Sequence, residues 1–275
     1  MNNKNIIRII KIIISLSYCV IHQIPLAVLK VFNRKFPGTF VVLYYHEIKS
    51  IHKDNFSRQM AMLSKYSRPV RADSISFTAG EHRVAVTFDD AFQSVIENGF
   101  EAISNHKIPI TIFVPTDYLG KQPGWEMNGD NEIIKEIVMT GEQIVKLPSE
   151  LIMLGSHTCT HPELTGLVTE EIEKELRTSK DDLERLLGKE INLLAFPHGK
   201  FNSVVVSIAL NAGYKYVYTI MPQFPKQNPE SAIIGRTPVN PSDWDIEFRL
   251  KLSGYYCWLS LPGHIKRILN KFTIQ

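Results

Sequence analysis

Cysteine is scarce in this chain, and what there is sits far apart: Cys19, Cys159 and Cys257. An odd number at such spacings makes no disulfide framework and no Cys-x-x-Cys metal knuckle. Net charge is also low. Thirty-one basic residues against 28 acidic ones leave a formal charge of +3. That gives no electrostatic footprint for a nucleic-acid partner. No internal repeat at solenoid periods and no low-complexity tract is present, which excludes stacked-repeat and disordered-tract readings. The hydrophobic share of 44% and the charged share of 21% are those of an ordinary globular protein. At 275 residues the chain can hold one large α/β barrel domain or two small ones.

The N-terminus is the exception to this ordinary composition. Ile6 to Phe32 is strongly apolar, and Ile12 to Leu29 contains no Asp, Glu, Lys or Arg. That stretch is just long enough for a membrane span, although Ser15, Ser17, His22, Gln23 and Pro25 weaken it. Lys4, Arg8 and Lys11 precede it, and Lys30, Arg34 and Lys35 follow. Basic flanks on both sides give no orientation, and no small-residue cleavage site marks a removed signal peptide. A retained membrane-associating segment over residues 1–37 is the expectation, either as a span or as an interfacial helix. A hydrophobic helix packed on the domain is the alternative. The far end, 255–275, reads as a short basic amphipathic tail containing His264.

Past Pro37-Gly38 the pattern changes to short apolar strands alternating with helical stretches. Strands are expected at Thr39–His46, Arg83–Phe88, Pro109–Pro115, Leu151–Gly155, Leu193–Phe196, Tyr216–Ile220 and Ile233–Val239. Helices are expected at Asn55–Tyr66, Phe92–Asn105, Asn131–Lys146 with a break near Thr140-Gly141, Thr169–Leu187 and Ser203–Ala212. Thr169 is placed to cap its helix and Gly188 to stop it. About seven strands with helices between most of them predict a parallel α/β barrel over residues 38–254. In such barrels chemistry gathers at the C-terminal ends of the strands. His46, Asp89, Asp90, His157 and His198 all fall at predicted strand ends, so they converge on one mouth.

Three short segments end those strands: Thr87-Phe88-Asp89-Asp90, Ser156-His157-Thr158-Cys159-Thr160-His161 and Phe196-Pro197-His198-Gly199. They offer two adjacent carboxylates and two histidines four apart, as on one face of a helical turn. One carboxylate with both imidazoles makes a three-ligand set for a divalent ion such as zinc, with a position left for water. The other carboxylate is then free to act as a base. Cys159, between the histidines, points elsewhere if the turn is helical.

These motifs, in this order, resemble the polysaccharide deacetylases, the NodB homology domain or carbohydrate esterase family four. The resemblance covers roughly Phe40 to Tyr256. It implies a distorted (β/α) barrel of about seven strands and a metal-dependent hydrolase that removes acetyl groups from N-acetylated sugars of a bacterial cell-envelope or lipid-linked glycan. A non-catalytic glycan-binding relative of the same fold, or a metal-dependent amidase or esterase on a non-sugar substrate, is the alternative. It implies that Asp90, His157 and His161 hold the ion and that Asp89 is the catalytic base. In the third motif His198 replaces the common tyrosine, and the role carried over is that of its backbone N–H, aimed at the oxyanion. The family often has an arginine two residues before the proline, holding the base. Ala195 stands there, so Arg236, near the end of the last strand, is the candidate replacement.

The family's late Leu-x-His motif has no clear copy, and His264 is a poor match. Leu43-Tyr44-Tyr45-His46-Glu47-Ile48 resembles instead the early Tyr-His segment of the poly-N-acetylglucosamine deacetylase branch. That likeness gives His46 the general-acid position. Asp243 and Trp244 correspond loosely to the family's Asp/Trp segment, which orients a catalytic neighbour and lines the acetyl pocket. A capped helix start at Ser242 or Asp243 is an equal reading. His22, His52, His82 and His106 have no partner at motif spacing. No protein partner is legible.

Overall fold

The computed structural model describes residues 3–125, 135–223 and 231–260, the side chains of residue 4 and of residues 24–31 excepted. His264, most of the basic tail, and the first residues of the helix expected from Asn131 lie outside the described residues. The elements, in chain order, are α1 (Asn3–Val31), β1 (Thr39–Tyr45), α2 (Lys53–Tyr66), β2 (Arg68–Pro69), β3 (His82–Phe88), α3 (Gln93–Asn105), β4 (Ile110–Val114) and α4 (Gly141–Val145). They continue with β5 (Ile152–Ser156), α5 (Thr169–Leu187), β6 (Leu193–Ala195), α6 (Ser203–Asn211), β7 (Tyr216–Thr219), β8 (Ile233–Gly235), β9 (Thr237–Pro238) and α7 (Asp245–Leu252).

Among the described residues every strand pair is parallel, and the order around the sheet is β8-β7-β6-β5-β4-β3-β1-β9. The expected strand Ile233–Val239 is two short pieces. Ile233–Gly235 follows β7, while Thr237–Pro238 sits beside Leu43 and Tyr44 of β1. One segment thus bridges the two edges of the sheet, and the chain changes ladders at Arg236. With β8 and β9 counted as one stave, the barrel has the seven staves the sequence predicts. β2, unexpected from the sequence, is a two-residue strand lying beside β3 outside this path.

The alternation of side chains along each strand sorts the core into two parts. Val41, Leu43 and Tyr45 of β1 and Val84, Val86 and Phe88 of β3 join the large cluster under the helices. Phe40, Val42, Ala85, Phe113, Leu193, Ala195, Tyr218 and Ile234 form the smaller cluster that fills the barrel. Gly155 of β5 is needed inside: a Cβ there would stand 2.6 Å from the Phe113 ring.

Two helix expectations are corrected. Of the stretch expected to be helical over Asn131–Lys146, the described residues hold one α-helix, Gly141–Val145, begun at the expected break by a reciprocal cap between Thr140 and Gln143. Before it, Ile137 to Met139 is extended and pairs with the segment after the two aspartates: Gln93 N donates to Ile137 O and Met139 N to Ala91 O, both at 2.9 Å. Tertiary pairing here overrides helical periodicity. Likewise Thr169 is the first residue of α5 and not its cap; Val168 takes that position, and its N–H donates to Glu171 Oε2 at 3.3 Å. Gly188, with φ 64°, ends the helix as expected.

The apolar N-terminal segment is a helix with two dissimilar faces. Ile12 and Ser15 are buried, Trp258 Nε1 donates to Ser15 Oγ at 2.8 Å, and Arg8 pairs with Glu247 of α7 and donates to Ser242 O at 2.8 Å. Ile13, Leu16, Val20 and Ile21 are exposed.

Candidate active site

Period-two alternation carries Ala85 and Thr87 to the barrel interior, and Asp89, next in that series, emerges at the top of β3 still facing inward. Asp90 would face the other way on a regular strand. Instead it has φ 68° and Ala91 has φ 53°, so the chain turns back and both carboxylates enter the mouth. Both are buried. The histidine motif does the same after β5. The expected helical turn is absent: residues 157–161 are a loop in which Thr158 (φ 65°) and His161 (φ 59°) are left-handed. That twist, not helical spacing, brings the imidazoles together, with ring centroids 4.7 Å apart. His198 (φ 56°) is left-handed as well. Of the seven described non-glycine residues with positive φ, five therefore lie in these three loops. Such backbone is costly for L-residues and persists where the surroundings hold it, typically at functional sites.

Asp90, His157 and His161 offer one atom each, all within 4.8 Å of one another. The Nε2 atoms of His157 and His161 lie 3.6 and 3.4 Å from Asp90 Oδ1. His157 Nδ1 is 2.8 Å from the carbonyl of Ala195, so that nitrogen carries the proton and Nε2 keeps its lone pair for the cluster. Burial pushes the His157 pKa down to about 4, which keeps the ring neutral at pH 7. Asp90 falls to about 2: burial opposes ionisation, but the adjacent imidazole of His161, with His46 and His157, outweighs it. Asp90 Oδ1 is nonetheless buried without a hydrogen-bond partner. An orphaned carboxylate oxygen facing two imidazole nitrogens fits a divalent cation, and the oxygen-plus-nitrogen donor set suits zinc.

Asp89 is held differently. Arg236, fully buried, donates from Nη1 to Asp89 Oδ1 at 2.6 Å and from Nη2 to Oδ2 at 2.8 Å. Its remaining donors go to Thr87 Oγ1 (3.1 Å) and Thr219 O (3.2 Å), and its plane lies 4.7 Å over Tyr44 and 5.3 Å from Phe113. Burial pushes the Asp89 carboxyl up, but Arg236 and the neighbouring histidines prevail, and the net pKa is lowered. The arginine thus enters from the break between β8 and β9, and Ala195 lines the same interior cluster as the rings beneath it.

His46 is exposed beyond β1, its ring 5.6 Å from Tyr44, and its charge acts on both aspartates. His198 is also exposed, with its ring 4.9 Å from that of His161. The structure does not bring Asp243 and Trp244 to this cluster. Asp243 accepts from Lys251 Nζ at 2.7 Å and from Asn240 N at 3.0 Å, and Trp244 lies under the Arg8 guanidinium at 4.5 Å. They anchor α1 to α7, which begins at Asp245 with Trp244 as its cap residue. Trp125, which no sequence signal marks, stacks on His161 with centroids 4.3 Å apart and planes 22° from parallel. Cys159 is buried, its Sγ 3.5 Å from Glu175 O, and it is not part of the Asp90, His157 and His161 cluster.

A family model described as polysaccharide deacetylase matches residues 77–217, which contain both aspartates, both histidines and the Phe-Pro-His-Gly loop. The chain belongs to the polysaccharide deacetylase family. Among curated relatives of this deacetylase-family chain, YxkH of Bacillus subtilis is 24% identical over 217 residues, covering 74% of this chain and 73% of YxkH. The peptidoglycan-N-acetylmuramic acid deacetylase PdaA of the same organism is 26% identical over 144 residues, covering 50% of this chain and 46% of PdaA. The poly-beta-1,6-N-acetyl-D-glucosamine N-deacetylase of Staphylococcus aureus is 26% identical over 140 residues, covering 50% of this chain and 47% of its own length. The chain thus spans under half the length of these last two. Among solved structures, IcaB from Ammonifex degensii matches with TM-score 0.64 at 21% identity, over 81% of this chain and 97% of that one. That likeness shows the shared barrel.

Proposed function

We propose that this deacetylase-family chain removes acetyl groups from the N-acetylated sugars of a cell-envelope glycan, in a metal-dependent hydrolysis. The observation that carries the reading is the pairing of unlike carboxylates at one mouth. Asp90, with an orphaned oxygen, faces two histidines, while its neighbour Asp89 is clamped by Arg236. A glycan-binding module has no need for that division.

Asp90, His157 and His161 would hold the ion. When bound, zinc supplies Lewis acidity toward the amide carbonyl and acidifies water at neutral pH. Asp89 takes the proton of the attacking water. The clamp by Arg236 keeps it ionised at neutral pH and points its lone pairs, since a carboxylate held by two parallel N–H donors has one orientation. The backbone N–H of His198, at the tip of its left-handed turn, supports the oxyanion. The departing amine needs a proton, and His46, at the rim beyond β1, donates it.

The N-terminal helix is proposed to associate with a membrane. Asn5–Gln23 has a mean hydropathy of 1.6 with 11% of the window buried, and the exposed Ile13, Leu16, Val20 and Ile21 remain available to lipid. Arg8 and Ser15, spent on contacts with the domain, favour a helix lying at the interface over one that spans. Acetate release from a panel of peptidoglycan fragments, chitooligosaccharides and poly-N-acetylglucosamine, with and without chelator, tests the substrate class. Release from none of them, by protein shown to hold metal, would count against the reading.

A further inference from the structure

The loop that carries the two histidines has two left-handed residues and must be held from outside. Every one of its backbone N–H groups from residue 158 to residue 161 has an assigned acceptor. Thr158 N donates to Ser156 Oγ at 3.1 Å, and His161 N donates to Thr158 Oγ1 at 3.2 Å. The two between them, Cys159 N and Thr160 N, converge on a single carboxylate oxygen, Glu175 Oε2, at 2.9 and 3.0 Å. The other oxygen, Oε1, accepts from Thr160 Oγ1 at 2.7 Å. On the far side, the carbonyls of Thr158 and Cys159 accept from Thr116 N and Asp117 N, both at 3.1 Å.

Glu175 sits on α5, one turn before Ser179, so the two share a helix face. Ser179 Oγ lies 2.8 Å from Ser156 Oγ, the atom that accepts from Thr158 N. One face of α5 therefore grips the loop at two points. Of these, the carboxylate is the stronger, because it makes charge-assisted bonds to two successive N–H groups.

Resting on the ligand role proposed above for His157 and His161, we infer that Glu175 is a positioning residue for the metal centre. It holds the 158–160 backbone in the shape that turns both imidazoles toward Asp90. It touches neither the ligands' ring atoms nor the reacting groups. Its work is to preset the angle between two ligands joined by a loop that has no helix or strand to stiffen it. Outer partners of this kind are worth about 10- to 100-fold in metal affinity.

The test is a competition titration of zinc alone against a chromophoric chelator, using full-length protein. Glu175→Ala should weaken zinc binding by about 10- to 100-fold. Glu175→Gln, which can keep an oxygen on the two N–H groups and meet the Thr160 hydroxyl with its amide, should recover most of that loss. Glu173→Ala, one turn-face away and paired with Arg177 on the surface, should bind zinc like the parent. Thermal melting of the metal-free variants is read in parallel. A lowered melting temperature for Glu175→Ala with unchanged zinc affinity would mean a structural role only and overturn the inference. So would equal losses in the Ala and Gln variants, since the clamp depends on shape. Failure of the parent protein to bind zinc at all would overturn the ligand assignment itself, a result distinct from either.

Discussion

Replacing Arg236 by methionine is the most revealing single perturbation of this site. Arg236 and Asp89 are both buried, and they share two hydrogen bonds at 2.6 and 2.8 Å. Methionine fills much of the space between Tyr44, Phe113 and Tyr218 but leaves Asp89 as a buried carboxylate without a cation. Removing one partner of a buried pair costs about 3–5 kcal/mol, a large part of the roughly 5–15 kcal/mol that stabilises a domain. The sign of the pH dependence follows from the lowered pKa of Asp89. Its ion pair contributes in full above the unfolded carboxyl pKa of about 4 and is lost as pH falls through the folded value. In the Arg236→Met protein the strongest influence opposing burial is gone, only the neighbouring histidines still act against it, and the Asp89 pKa rises. The orphaned group then takes up a proton as pH falls, so the stability gap to the parent narrows in acid. The same shift must appear in catalysis. A base protonated at higher pH moves the acid limb of the pH–rate profile upward, while alkaline activity is depressed less. Urea denaturation at pH 7 and pH 5, with acetate release across the same range, reads both effects. Parent-like stability at pH 7 together with an unmoved acid limb would refute the reasoning.

The other expectations are simpler. Asp89→Asn keeps size and leaves the ligands in place, so bound metal should persist while turnover falls by about 100-fold or more; metal loss here, but not in Asp90→Asn, would reverse the two roles. His46→Ala should depress N-deacetylation by about 100-fold or more yet largely spare an aryl acetate, whose leaving group needs no proton; equal losses on both substrates would remove His46 from the acid position. Full-length protein should sediment with anionic vesicles. A chain starting at Gly38 should not, and it should also melt lower, because it uncovers Trp258 and removes Arg8 from Asp243 and Glu247. Unchanged melting would mean that the α1 contacts contribute nothing to the fold.

Much of this architecture was legible because it is written locally. The strand at Thr39, the helix ending at Gly188 and the alternation that sends Asp89 inward depend on neighbours along the chain, and period-two or period-3.6 patterns report them. Arg236 was reachable through the family resemblance: Ala195 stands where the family often has the arginine that holds the base, which makes Arg236, near the end of the last strand, the candidate replacement. What escaped depends on tertiary pairing. Ile137–Met139 is extended because it lies against Ala91 and Gln93, which no periodicity encodes. The 157–161 loop looks helical by spacing alone, but its shape comes from the Glu175 carboxylate and from positive φ at Thr158 and His161. Glu175 itself is one of several acidic residues on α5, and nothing in the sequence separates it from Glu173. Asp243 and Trp244 resemble a family segment, yet α1 folds back over them, a contact between residues more than 230 apart.

The central claim is that one mouth joins a metal held by Asp90, His157 and His161 to a base held by Arg236. The most direct measurement is a zinc titration of chelated, metal-free protein, following bound metal and acetate release from an N-acetylglucosamine oligomer together. The parent should gain activity in step with zinc, up to about one ion per chain. The double variant His157→Ala/His161→Ala should gain neither. Full activity in the metal-free parent, or tight stoichiometric zinc in the double variant, would contradict the account.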